Sequence, residues 1–296
     1  MPDFNEYSIE LEYAGSSVKD YLRNVQQVSG RELQKITRAK GVYLNGKRCI
    51  LDKKLKYKDS LKILILQERL NIIPEKGLDI EILYEDAGML VANKPAGILV
   101  HPTGHTKSGT LINYLAARYQ DDKTVSLHAL HRLDRDTSGC VLFAKNAKIK
   151  AELEQAMQSG AVKRIYQAIV VGKPTTERGV IAAKIGQDPF APNRRLISDN
   201  GQEAITEYQV VAELNDGLYL LELSLLTGRT HQIRVHLSYI GLPILGDGMY
   251  GIRKFNAKRQ LLHAVKMHFK NVGLCGDLDV TAPIDDDMRA FIPNTK

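Results

Sequence analysis

From residue 80 onward the chain is dominated by short apolar or alternating runs: IEILYE, MLVANK, VLFAK, YQAIVVG, ITEYQVVAEL and LYLLELSLL. Their length and β-branched content suit strands better than helices. Two segments in the same stretch read clearly as helices: LINYLAARY, and NAKIKAELEQAM with Asn146 as cap and Gly160 as stop. Many strands with few, unevenly placed helices do not make a regular βαβ array. The expected fold class is therefore α+β with a mixed sheet. No G-x-G-x-x-G or G-x-x-x-x-G-K-[ST] motif occurs, so no nucleotide cofactor is expected.

With 296 residues and 44% apolar composition, the chain can bury a sizeable core, and its length suggests one large domain with a small one attached. No apolar run approaches the roughly 18 to 20 residues that span a bilayer. The start, MPDFNEYSIELEY, is too acidic for a signal peptide, so a cytoplasmic location without a membrane partner is expected. Cys49, Cys140 and Cys275 are far apart and never form C-x-x-C, which points to small core residues instead of a disulfide framework or a cysteine zinc site.

The formal charge of +7 is unevenly spread: residues 1–70 hold 14 Lys and Arg against 9 Asp and Glu, the remainder 27 against 25. A polyanion partner becomes plausible for the first quarter. There, VKDYLRNV places Val18, Tyr21, Leu22 and Val25 on one helix face. A second helix follows, with Ser29 and Glu32 as a capping box, Leu33 and Ile36 as its apolar side, and Gly41 as its stop. VYLNGKRCI reads as a hairpin turning at Asn45-Gly46, and LKILIL as a closing strand. On the second helix Arg31, Lys35 and Arg38 align on one face, and Lys47 and Arg48 follow in the hairpin. Such a stripe can grip phosphates; an ordinary solvated helix face would look similar. Two short helices followed by a basic Asn-Gly hairpin, over residues 14 to 66, resemble the S-four RNA-binding domain. The domain boundaries expected are 1–70 for this small α/β module, 71–79 for a linker, and 80–296 for the main domain.

Three stretches hold most of the chemically useful side chains: NKPAGILVHP (93–102), HRLDRDTSG (131–139) and TGRTHQIRVHL (227–237). His101, His105, His128 and His131 lie close in sequence, but HPTGH cannot present its histidines on one helix face and HALH lacks a carboxylate at the metalloprotease offset. No metal site is expected. Ser138 is not in a G-x-S-x-G elbow. In the third stretch Arg229 sits where the strand LYLLELSLL gives way to a short helix with Ile233, Leu237 and Ile240 as its apolar side, a junction that aims a side chain over the end of a sheet. Asp134 and Asp136 flank Arg135; taken locally, either is equally a turn former or a surface ion pair. A pocket aspartate paired with Arg229 would stay ionised at neutral pH, because a nearby guanidinium opposes the effect of burial.

HRLDRDTSG, together with KPAG followed by VHP, KRIYQA, TGRTHQIRVHL, GLPILGDGMYG and TAPIDDDM, resembles the RluA family of pseudouridine synthases, in family order from about residue 80 to residue 296. The resemblance implies a largely antiparallel mixed sheet, isomerisation of uridine in ribosomal large-subunit RNA or tRNA, and no cofactor; a monomer that does not bind DNA is expected. It implies Asp134 as the catalytic aspartate, Tyr166 as the ring that stacks on the target base, Arg229 as the arginine paired with the aspartate, and Arg132 as the arginine that helps displace the base. Asp136 occupies a variable position, and His131 and Thr137 belong to loop architecture. The tail reads PIDDDM where a second proline is frequent, which touches only surface detail. Alternatives on the residues are an RNA hydrolase, which would cut the strand and need a metal, and a non-catalytic RNA-binding protein of the same fold.

Overall fold

The computed structural model describes residues 4–26, 28, 30–64, 72–104, 106–122, 124–252, 254–272 and 276–293. The chain divides into two compact units, Met1–Arg69 and Leu70–Lys296. Among the described residues no helix is long and apolar enough to cross a membrane.

The first unit holds strand β1 (Phe4–Ser8), helices α1 (Val18–Asp20) and α2 (Gly30–Arg38), and strands β2 (Val42–Leu44), β3 (Lys47–Arg48) and β4 (Ser60–Leu64), in one sheet of order β1-β4-β2-β3. Asn45 and Gly46 both take positive φ, +51° and +77°, as a tight hairpin turn between twisted strands requires. Asn45 also uses its side chain: Nδ2 donates to Asp59 and Oδ1 accepts from the Ser60 amide, which docks the turn on β4. The expected first helix starts as α and widens into a π-helical turn over Tyr21–Val25, so Gln26 N–H reaches back to the Tyr21 carbonyl. Val18, Tyr21 and Leu22 nevertheless enter the core with Leu33, Ile36, Val42, Leu61 and Ile63. Ser29, half of the expected capping box, lies outside the described residues, as does the side chain of Arg31. Lys35, Arg38, Lys47 and Arg48 are exposed.

The second unit adds β5 (Ile82–Glu85), β6 (Met89–Lys94), α3 (Leu111–Arg118), β7 (His128–Ala129), β8 (Ser138–Ala144), α4 (Ala147–Gln158), β9 (Val162–Val171), β10 (Arg178–Ala182), β11 (Ile185–Gln187), β12 (Arg195–Ile197), β13 (Ile205–Glu213), β14 (Leu218–Leu225), α5 (Gln232–Tyr239), β15 (Leu262–Phe269), β16 (Leu278–Thr281) and α6 (Asp286–Arg289). Ten of these strands form one sheet of order β10-β13-β14-β9-β15-β8-β6-β5, with β16 beside β15 and β7 beside β8. Its ladders are antiparallel except where β15 meets β8 in parallel, His263 opposite Ser138. β15 was not expected as a strand, because His263, Lys266 and His268 interrupt its apolar pattern. Residues 72–79 of the expected 71–79 linker are held by hydrogen bonds. Asn113 takes the Ile73 carbonyl and the Glu75 amide, and the Glu75 carboxylate accepts from Gly109 N–H, so the segment is tied down beside α3.

β8 explains where the site sits. All seven of its residues are buried. Val141 and Phe143 face the cluster that contains Leu111 and Leu115 of α3, while Cys140, Leu142 and Ala144 face the cluster that contains Leu153 of α4. A strand covered on both faces reads as the continuous apolar run seen in VLFA. The loop that feeds it, residues 131–137, is therefore anchored at one end to a fully buried strand. Gly139 completes that anchor. Its φ is +107°, and a Cβ there would run into the Ala264 backbone of the parallel neighbour β15. Gly139→Ala should lower the unfolding free energy of this unit by about 2 to 5 kcal/mol, through a disfavoured backbone conformation and overpacking together. Urea unfolding followed by tyrosine fluorescence checks this; an unchanged midpoint would show that the strands separate without cost.

Candidate active site

The 131–137 loop is held mainly through its carbonyl oxygens. Lys94, at the end of β6, is fully buried, and its Nζ donates to the carbonyls of Pro95, Ile98 and Arg135, each at 2.8 Å. Three acceptors match the three protons of an ammonium. Gly97 N–H donates to the same Arg135 carbonyl, so the KPAG segment and the HRLD loop are cross-braced at one oxygen. Burial pushes the Lys94 ammonium down to about 7, against the pull of Asp136 and Asp134 toward the charged form. One residue further on, the Asp136 carbonyl accepts from Arg259 Nη1 at 3.1 Å, and Arg259 is itself gripped by Asp287 (2.6 Å) and Asp285 (3.0 Å). The PIDDDM tail is thus part of the scaffold behind the loop, a correction to its reading as surface detail. His131 Nε2 accepts from Leu142 N–H at 3.2 Å, and burial, with Arg164 nearby, pushes this imidazole down to about 3, so it is neutral. Thr137 Oγ1 accepts from Gln260, and Ser138 Oγ meets His263 Nδ1 at 2.8 Å across the parallel strands.

Between these anchors the Asp134 side chain is 17% exposed. Its Oδ2 accepts from Arg234 Nη1 at 2.9 Å. Arg234 lies one turn into α5, and the rest of its guanidinium faces inward: Nε and Nη2 donate to the two oxygens of Asp247 at 2.7 and 2.9 Å. This planar fork fixes the guanidinium before Asp134 is considered. Asp247 is completely buried and also accepts from the amides of Met249 and Tyr250. Burial opposes its ionisation, yet the Arg234 fork and those amides hold its carboxyl below the usual carboxylate range. Burial likewise works against the charge on Arg234, but Asp247 and Asp134 raise its pKa further above the normal arginine value.

Arg229 is not the partner that the sequence suggested. It lies in the turn ahead of α5, is exposed, and its Nε donates to the Glu203 carbonyl at 3.0 Å. The reason is the way the helix starts. Gln232 accepts from Arg229 N–H and Thr227 Oγ1 and donates to the Ile205 carbonyl and Thr206 Oγ1, which turns the preceding segment toward β13. His231 then enters at positive φ (+59°), and the helix that follows brings Arg234 to the aspartate. In the sequence both arginines belong to TGRTHQIRVHL; in the structure Arg234 is buried with Gln232 and His236 on a helix that has no solvent face over these turns, whereas Arg229 is exposed. His236 is satisfied by Thr206 Oγ1 and the Ala183 carbonyl, both at 2.9 Å.

The other oxygen of Asp134, Oδ1, faces His231 Nε2 at 3.8 Å, beyond hydrogen-bond range. His231 Nδ1 meets the Tyr250 hydroxyl at 2.9 Å, and that hydroxyl accepts from Arg195 N–H at 2.6 Å. Burial lowers the His231 pKa against the opposing pull of Asp134, so the ring is a neutral neighbour of the carboxylate at pH 7. Tyr166, on β9, is 3% exposed; burial raises its phenol pKa, with Arg164 opposing and the Asp134 charge adding to the rise. Arg132 is exposed, and its charge reaches His101, whose pKa is lowered by burial and then by that arginine. The arrangement provides a carboxylate with one oxygen bound to a rigid cation and the other open. Such a group can attack carbon or remove a proton. Among the described residues no three His, Cys, Asp or Glu side chains are grouped to hold a metal ion.

A family model described as RNA pseudouridylate synthase matches residues 88–239, a span that includes Asp134, Tyr166 and Arg234. An uncharacterized RNA pseudouridine synthase of Bacillus subtilis, YhcT, is 43% identical over 224 residues, covering 75% of this chain and 74% of its own length. The ribosomal large subunit pseudouridine synthase D of Vibrio parahaemolyticus is 36% identical over 231 residues, covering 72% of this chain and 70% of its own. Among solved structures, human RNA pseudouridylate synthase domain containing 1 superimposes with a TM-score of 0.59 at 26% identity, covering 71% of this chain and 86% of that one. Relatives this similar, over most of both chains, make the conclusion direct: the chain belongs to the RNA pseudouridine synthase family, of the RluA/RluD-like kind, and is an enzyme that isomerises uridine in RNA to pseudouridine.

Proposed function

We propose that the substrate is ribosomal large-subunit RNA, and that Asp134 acts at the sugar of an everted uridine, either attacking C1′ or removing a C2′ proton, while Arg234 holds it in place. The observation that carries this reading is the divided Asp134 carboxylate, with Oδ2 on Arg234 and Oδ1 open beside neutral His231. The choice of RNA is supported by relatives named as ribosomal large subunit pseudouridine synthase D from several bacteria. The reaction breaks the N1–C1′ bond and joins C5 to C1′, with no atom gained or lost. The setting that goes with this substrate is a cytoplasmic monomer.

A uridine must leave its stack to reach Asp134, at a cost of a few kcal/mol, and stacking on an aromatic returns about 1 to 3 kcal/mol. Tyr166 is the ring assigned to that role. At 3% exposure its ring is covered by neighbouring side chains, which a stacking base would have to displace. Exposed Arg132, two residues before Asp134, is assigned to displacing the base. For the first unit we favour an S-four-like RNA-binding role, supported by its α-α-hairpin-strand order and by the exposed cations Lys35, Arg38, Lys47 and Arg48. Phosphate contacts there would supply a sequence-independent grip.

Pseudouridine mapping of cellular RNA with and without this protein tests the substrate: a site lost from large-subunit RNA supports the reading, and a site lost only from tRNA rejects it. Asp134→Asn should abolish single-turnover conversion while RNA affinity stays within about threefold, because the amide keeps the shape but is neither nucleophile nor base. Arg234→Lys, which cannot form the fork, should slow single turnover on the order of 10²-fold, whereas Arg229→Ala should stay within about threefold at saturating RNA. The reverse ranking would restore Arg229 as the partner. Changing Arg31, Lys35 and Arg38 together to Ala should weaken RNA binding and flatten its log–log salt slope by about 2. An unchanged slope would remove that helix face from the RNA contact.

A further inference from the structure

The β11–β12 hairpin carries a feature that the chemistry at Asp134 does not use. Its tip, residues 188–194 with sequence DPFAPNR, presents Phe190 at 96% exposure. A solitary exposed apolar residue is ordinary on a surface. This one sits on a tip whose own bonds fix it. Asp188 N–H donates to the Arg194 carbonyl, Arg194 N–H to the Ala191 carbonyl, and Phe190 N–H to the Asp188 carboxylate. Arg195 Nη1 and Gln187 Nε2 both donate to the Pro192 carbonyl, and Pro189 and Pro192 limit the backbone further. The ring is therefore displayed on a preorganised loop that gains nothing from it in the free protein.

The base of the hairpin is built into the active-site wall. Ile185 of β11 and Ile197 of β12 pack with Val235 of α5 and with Tyr250. Arg195 N–H donates to the Tyr250 hydroxyl, which binds His231, and the Arg194 guanidinium lies 5.6 Å from the Tyr250 ring centre. Phe190 is five residues from Arg195, so it stands at most about 17 Å from the edge of the site along an extended chain. Exposed Arg194 flanks it on the same tip, and the Asp188 carboxylate is taken up by the turn. An aromatic face beside a cation, on a hairpin whose base forms part of the wall of a site that acts on RNA, matches a nucleobase: stacking needs no hydrogen bond and tolerates any base.

We propose that Phe190 is a base-stacking finger, gripping an unpaired nucleotide of the RNA near the target uridine while Arg194 meets its phosphate. The proposal rests on the RNA reading of the site. Because Phe190 is almost fully exposed, its replacement leaves the fold intact, and binding can be read directly. With a fluorescein-labelled RNA stem-loop bearing unpaired uridines, Phe190→Ala should raise Kd roughly 5- to 100-fold with an unchanged salt slope, and Phe190→Trp should restore binding. Arg194→Ala should instead flatten the salt slope by about 1. Ultraviolet cross-linking followed by peptide mapping should place a nucleotide adduct on residues 188–194 in the wild-type protein and not in Phe190→Ala. Wild-type binding with Phe190→Ala within twofold of it rejects the finger alone, as does rescue by Phe190→Leu as complete as by Trp. Unchanged RNA binding together with a loss of self-association or of protein contacts in Phe190→Ala would assign the tip to a protein partner and overturn the proposal. A wild-type protein that binds no RNA even at low salt rejects the RNA reading and the finger together.

Discussion

A buried guanidinium shared between two carboxylates governs this site. Arg234 spends two nitrogens on fully buried Asp247 and one on partly exposed Asp134. Such a cation is costly to bury unless its partners are well placed, and removing one partner of a buried pair typically costs about 3 to 5 kcal/mol. The geometry therefore admits little slack: once Asp247 fixes the plane of the guanidinium, the position left for the Asp134 oxygen is fixed as well. In the proposed reaction, a carboxylate held this way would meet the sugar without first losing rotamer freedom, which is how a small rigid contact contributes to rate.

The same economy appears around the loop. Lys94 and Arg259 hold it by main-chain carbonyls of Arg135 and Asp136, leaving the side chain of Asp134 open to substrate. Charged residues at the back of the site thus act as struts, and the acidic tail contributes through Asp285 and Asp287 on Arg259. The parallel contact between β8 and β15, made possible by Gly139, brings the Arg259 segment and the aspartate loop to the same end of the sheet.

Much of this was legible in the residues. Alternating or continuous apolar runs marked β6, β8, β9, β13 and β14, because side chains on those strands bury with the period of the strand itself. Helices α3 and α4 were marked by their apolar spacing, and α4 also by Asn146, whose side chain accepts from the Ile149 amide. β15 escaped because two histidines and a lysine interrupt its pattern, one of them, His263, being buried on Ser138. The exchange of Arg229 for Arg234 has a similar cause. A helix buried along most of its length has no polar face from which to read its register, so the inward arginine and the outward one look alike until the Gln232 bonds are known. Asp247 lies in the GLPILGDGMYG stretch, but nothing local ties it to Arg234, and Arg259 lies in no motif; their distances from Asp134 are set by the sheet order.

The claim that a buried chain from Asp247 through Arg234 positions the reactive carboxylate is tested most directly by the single-turnover rate of Asp247→Asn, in a variant shown to be folded by circular dichroism. Asp247 lies too deep to touch RNA, so the account predicts a rate reduced on the order of 10²-fold with RNA affinity unchanged. A folded Asp247→Asn protein that converts uridine at the wild-type rate would contradict it.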